Sequence, residues 1–433
     1  MECDREQSGR LTELDAMRGI AAFAVLIFHA TENLPDQYML VTQILRGSPL
    51  RPFLDGRQPV IFFFVLSGLA LTRAILSGPG QGFAAYALRR AIRLCLPAAA
   101  AVVLSAIGYG LFYAPGPWLG PDTWLALTSW IRPPTFGDIL RQAALIGVDG
   151  DFTLDPVLWS LVHELRLSML LPLAVAAVAH RGDRVRMLFS LAGGLLLGLA
   201  LGDHGLNDRR FDGAVPISLL YRIIPVVLFF WIASRADLPS ALRNGPDTCN
   251  LVPLLAFCAS GIALSAALGG GGQAMLGKSL PASLLATLYF APCFVLGACL
   301  SLGALDRFAL ASADRTLCLI GALMLVCFDS LFATTAASVL LIVVARQPGR
   351  LRDRLRTPPL VFLGRISFSL YLTHVPLLLA MRHGLEGILT GTAIYAVWLQ
   401  LALPVAWAFH RLVEQPAQRL ARQTGRMPKV AHA

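Results

Sequence analysis

Apolar runs of about twenty residues recur along almost the whole chain, and that length is what a helix needs to cross the hydrocarbon core of a bilayer. They lie at 14–33, 59–77, 94–114, 157–179, 186–202, 215–234, 250–269, 283–304, 360–382 and 388–411. A further region, 316–345, is apolar but interrupted at Asp329-Ser330, and reads as one long span or a short hairpin. Only 14% of residues are charged and 56% are hydrophobic. A water-soluble domain of this composition would expose too much apolar surface, whereas lipid covers a polytopic bundle. The expected fold is therefore all-α, an integral membrane bundle of ten to twelve transmembrane helices.

Arginines between the runs set the topology, since short cytoplasmic loops carry the basic residues. Arg5 and Arg10 precede the first run; Arg89, Arg90 and Arg93 mark the third. Arg181, Arg184 and Arg186 follow the fourth, and Arg350, Arg352, Arg354 and Arg356 precede the run at 360–382. Arg411, Arg419, Arg422, Arg426 and Lys429 close the chain. Placing all of these inside makes 316–345 a hairpin and yields twelve crossings with both termini in the cytoplasm. Arg46, Arg51, Arg57, Arg132 and Arg141 then lie outside, in longer loops where the rule is weaker. The first 13 residues are polar and no small-residue cleavage site closely follows the first run, which reads as a retained span. A membrane domain is expected over 10–420, with a cytoplasmic tail at 421–433.

Composition also excludes function classes. The net charge of +10 sits in inter-span segments, not in a basic patch with interleaved aromatics, so nucleic acid is not an expected partner. The eight cysteines are scattered, mostly within apolar segments, with no C-x-x-C pair. Neither disulfides nor a metal site is expected. The segment 115–156 is rich in Pro, Gly, Trp and Asp and reads as an outward lid or rim, with Trp118, Trp124 and Trp130 suited to an interfacial belt.

Chemistry-bearing residues punctuate the runs. Arg18 and His29 lie eleven residues apart in the first, which is three helical turns plus about 20°, so they share a face about 16 Å apart along the axis. A histidine in a span needs a cavity or a partner, and either a reactive imidazole or one satisfied by a neighbouring helix fits. Ser67-Gly68 in the second run offers a small surface for close helix packing, without a G-x-S-x-G elbow around the serine. Arg90 and Arg93 share a helical face and suit bidentate phosphate binding or positive-inside anchoring. The fourth run opens Asp155-Pro-Val-Leu-Trp-Ser-Leu-Val-His-Glu-Leu-Arg166. Glu164 there needs a partner: His29, whose tautomer it would hold, or an arginine in a structural pair. His163 could line the rim. Tyr371 and His374 form an i,i+3 pair, and Arg411-Leu-Val-Glu-Gln-Pro416 ends the last run.

In this order the elements Arg18-x10-His29, F-F-x-L-S-G, R-R-x-x-R-x-x-P, W-S-L-x-x-E, L-G-x-x-S-x-S-L-Y-L-x-H and E-x-P resemble the membrane acyltransferase family 3, polytopic O-acyltransferases acting on sugars and surface glycans. The resemblance covers most of the chain and is thin between about 180 and 280. Where the family often shows W-S-L-x-x-E-E-Q-F-Y, this chain has Trp159-Ser-Leu-Val-His-Glu-Leu-Arg-Leu-Ser168, so only Glu164 carries over. The resemblance is to a stand-alone transmembrane member, without the soluble esterase-like domain fused to some others. The resemblance implies a multi-pass protein of the bacterial cytoplasmic membrane. It implies no permanently bound cofactor, an acyl-CoA co-substrate (most commonly acetyl-CoA) and a carbohydrate acceptor. The expected site has His29 and Glu164 in catalysis, Arg18, Arg90 and Arg93 on the CoA, and Tyr371, His374 and Trp159 on the acceptor. Direct transfer is favoured over an acyl-enzyme because no serine has an evident base beside it. The competing class is a secondary transporter, which twelve crossings would suit. The internal repeats typical of transporters are not evident between the two halves.

Overall fold

A computed structural model describes residues 11–31, 43–45, 48–77, 83–114, 124–148, 150–179, 280–303, 310–328 and 331–424. No β-strand occurs among them. Five helices are long and apolar enough to cross a membrane: Thr12–Thr31, Arg57–Leu76, Phe83–Phe112, Pro358–Leu385 and Gly391–Thr424. The described residues are thus all-helical, and the chain is a multi-pass membrane protein. The expected spans at 186–202, 215–234 and 250–269 and most of the 421–433 tail lie outside the described residues, so the count of ten to twelve is neither reached nor refuted.

Helix α1 (Thr12–Thr31) and helices α2 (Arg57–Ser77) and α3 (Phe83–Phe112) form the first part of the bundle. Short helices α4 (Trp124–Thr128) and α5 (Phe136–Ala143) follow. A 3₁₀ turn, Pro156–Leu158, then leads into α6 (Trp159–Ala179). After the undescribed stretch come α7 (Leu280–Gly303), α8 (Ser312–Leu325), α9 (Leu331–Arg346) and the short α10 (Arg350–Leu355). The interrupted region 316–345 is therefore a helical hairpin, with α8 packed on α9. Helices α11 (Pro358–Leu385) and α12 (Gly391–Phe409) are followed by a π turn, His410–Glu414, and α13 (Gln415–Thr424).

Side-chain contacts fix the helix directions. Asp15 and Gly19 of α1 lie against Gly364 of α11, and His29 lies beside His374, so α1 and α11 run parallel. Arg90 meets Glu164 while Tyr86 meets Ser168, which makes α3 and α6 antiparallel. Arg166 bonds Ser283 and His163 bonds Thr287, so α6 and α7 are antiparallel as well. Two glycine contacts allow the tightest crossings. A Cβ on Gly19 would overlap the backbone of Leu363 and Gly364, and one on Gly68 would overlap the backbone of Phe294. Small residues let helix backbones touch, and in lipid close packing is a main source of helix association.

The starts of α1, α3 and α11 share one end of the bundle, and it is the basic one. There the fully buried Glu13 receives Arg346 at 3.2 Å and Arg356 at 3.1 Å, with Arg352 at 4.0 Å. A buried carboxylate persists only with such partners. At the opposite end, α5 begins with a capping box between Thr135 and Asp138. Asp138 also accepts from Arg132 and Arg141 at 2.6 Å each. The expected rim is thus an ordered, helical segment where it is described. Trp130 does not join an interfacial belt. It is buried, at φ 51°, stacked on His383 and edge-on to Tyr109, with Nε1 donating to Ser105. Trp118 lies outside the described residues.

Candidate active site

His29 stands near the far end of α1 from the basic end, and it is 3% exposed. Its ring lies 5.3 Å from that of His374, at an interplanar angle of 36°. His374 is 1% exposed, and its Nδ1 donates to the Leu370 carbonyl one turn back, at 3.0 Å. The Leu370 oxygen only accepts, so Nδ1 carries the proton and Nε2 is a bare acceptor. Trp398 of α12 donates to the His374 carbonyl at 2.8 Å and clamps this stretch of α11. The expected i,i+3 pairing of Tyr371 with His374 is present, with ring centroids 5.9 Å apart.

The other residues expected on the acceptor have partners within the protein. The Tyr371 hydroxyl donates to the Val157 carbonyl at 3.1 Å and meets Ser160 Oγ at 2.8 Å. It joins α11 to the entry of α6. Trp159 is buried edge-on to His163 and tilted against Phe290. His163 does not line a rim: it is fully buried, with Nδ1 2.9 Å from Thr287 Oγ1. Arg166 turns to α7, donating to Ser283 and Thr287, and does not pair with Glu164.

Of its two expected partners, Glu164 takes an arginine. Its Oε1 accepts from Arg90 in an ion pair and from Ser67 Oγ at 3.0 Å. The structural pairing with an arginine holds, and the hydrogen-bond partners of Glu164 among the described residues are Arg90 and Ser67, not His29. Arg90, expected on the CoA, is buried and ion-paired with Glu164. Ser67 does have a carboxylate beside it, contrary to the sequence argument against an acyl-enzyme, and Ser67 shares that carboxylate with Arg90.

Arg18 and Arg93 differ from Arg90. Neither makes a hydrogen bond or an ion pair with another described residue. Arg93 is accessible although protein surrounds it, and its charged neighbours are Arg90, Arg18, Glu414 and Glu164. Three guanidiniums thus converge on two carboxylates. Glu164 is committed to Arg90, and Glu414 lies in a network of its own. Positive charge is left over in the interior of the bundle, where an anion would be drawn.

Sequence reasoning missed that Glu414 network. The carboxylate is 5% exposed and accepts from Ser369 Oγ at 2.5 Å, His410 Nδ1 at 2.8 Å and Gln418 Nε2 at 2.8 Å. Gln415 Nε2 lies 3.2 Å from His410 Nε2, which leaves the proton on Nδ1. The π turn brings His410 and Glu414 together, and such insertions gather at functional positions. The i,i+4 spacing of the pair was a legible signal. Asp155 was missed too: it is fully buried, and among the described residues no cation pairs with its carboxylate, which faces only the backbone N–H of Val157.

Compared with known proteins, residues 11–411 match a family model described as an acyltransferase domain. No curated protein and no solved structure matches the chain.

Proposed function

The chain belongs to the membrane acyltransferase family 3, and on that premise we propose that it transfers an acyl group, acetyl in the first instance, from acyl-CoA to a hydroxyl of a carbohydrate acceptor. We place it in a bacterial cytoplasmic membrane, with the basic end inside. The observation that carries this reading is the pair Arg18 and Arg93, two bundle-interior guanidiniums without a carboxylate of their own. They lie on the approach to a buried imidazole that shares the Arg18 face of α1. CoA is the acyl donor whose anionic end such a pair would hold. The rise of about 16 Å from Arg18 to His29 is then filled by the pantetheine arm.

The chemistry falls to His29. Its imidazole takes the proton of the acceptor hydroxyl as the oxygen attacks the thioester carbonyl. The tetrahedral intermediate collapses by breaking the carbon–sulfur bond, and the CoA sulfur leaves with the proton His29 had taken. Arg18 is too far along the axis to face the oxyanion, so its part is in binding. Arg90, Glu164 and Ser67 are bonded to one another across three helices, and Glu164 acts on position, not as the partner of the base.

The test uses native membranes supplied with labelled acetyl-CoA. His29→Ala is expected to stop label transfer to glycan while the amount of inserted protein is unchanged. Arg93→Ala is expected to raise the apparent KM for acetyl-CoA about tenfold or more, the scale of a lost hydrogen bond to a charged group. Label transfer at the wild-type rate by the His29 variant would end the reading.

A further inference from the structure

The bare Nε2 of His374 is the feature the reaction above leaves unused. It is a buried acceptor with no hydrogen-bond partner among the described residues, and leaving such a group unsatisfied is costly. Its Nδ1 is turned back onto its own helix by the Leu370 carbonyl. Nε2, on the other side of the ring, therefore points away from α11. The neighbouring imidazole on that scale is His29, 5.3 Å between centroids.

A base that takes a proton inside a bundle becomes an imidazolium with two N–H donors and little water to receive them. Glu164 is the carboxylate that could have steadied it, but Glu164 is bound to Arg90 and Ser67. We propose that His374 is the positioning residue for His29: its lone pair at Nε2 accepts an N–H of His29 when that ring takes up the acceptor's proton. The inference rests on His29 as the base. It moves His374 from the acceptor's binding surface to a place behind the base. The resting structure is ready for this and not yet engaged, since catalytic hydrogen bonds are often long before substrate arrives. The Leu370 carbonyl and the Trp398 indole hold the ring and its backbone in place, so the acceptor atom is preorganised.

The experiment compares His374→Ala, His374→Gln and His29→Ala in native membranes, with inserted protein quantified and label transfer from acetyl-CoA titrated. In glutamine the carboxamide oxygen replaces Nε2 as an acceptor. His374→Ala is expected to lower kcat about 10²-fold, with the apparent KM for acetyl-CoA and for acceptor unchanged. His374→Gln is expected to recover at least a tenth of the wild-type kcat. Wild-type kcat in the alanine variant overturns the inference, as does a loss confined to the acceptor's KM. A glutamine variant that is inserted normally but as inactive as alanine also overturns it. Should the alanine variant fail to insert, the glutamine variant decides by the same criterion. Activity in His29→Ala would instead sink the base itself, so the two failures are distinguishable.

Discussion

Asp138 and Asp155 are both buried beside the same outer segment, and their carboxyls are shifted in opposite directions. Hydrogen bonds from Arg132, joined by the Thr135 backbone and hydroxyl, keep the Asp138 carboxyl well below the usual carboxylate range. Burial pushes the Asp155 carboxyl well above it, relieved only in part by the backbone N–H of Val157. An unfolded Asp ionises near pH 4. Above that, the unfolded chain gives up a proton that folded Asp155 keeps, so stability falls as pH rises. Asp155→Asn removes this slope. Its thermal midpoint in detergent is expected to exceed the wild type at pH 8, and the difference to shrink to nothing as pH falls toward 4. A gap that stays constant with pH would show that Asp155 is ionised in the folded chain.

Elements are placed by small residues and joined by polar ones. Gly68 lies against the backbone at Phe294, and Gly297 lies reciprocally against Val65, so α2 and α7 touch main chain to main chain. Gly68→Val should force them apart, at an overpacking penalty of about 1–3 kcal/mol. A lower thermal midpoint in detergent is the measure, and an unchanged midpoint would show the crossing is not close-packed. Ser67-Gly68 was legible as a packing surface, because small side chains have one evident use in a span. The face shared by Tyr371 and His374 was legible from their i,i+3 spacing. What each face meets was not: Tyr371 bonds to Ser160, more than two hundred residues away in sequence. The same holds for Glu164, whose partner Arg90 comes from another helix.

At the scale of the molecule, the basic end gathers the buried Glu13 with its arginines, and the unneutralised Arg18 and Arg93 lie nearer that end than His29 does. A donor would then enter from the cytoplasm. Inside-out vesicles given labelled acetyl-CoA should acylate their glycan, and right-side-out vesicles should not. Equal labelling from both sides would contradict the orientation, and label that stays on CoA would fit a transporter.

The amino-acid sequence alone determined that this chain is a helical membrane bundle, because span length and charge placement are local properties that lipid acts on directly. It determined the family as well, through short motifs whose order survives without knowledge of contacts. Which charged groups neutralise one another was decided only by the tertiary structure. Arg18, Arg90 and Arg93 look alike in sequence, yet Arg90 alone is bound to Glu164, since ion pairing depends on distances between helices that no spacing along one helix encodes. That His374 lies beside His29 was decided in the same way.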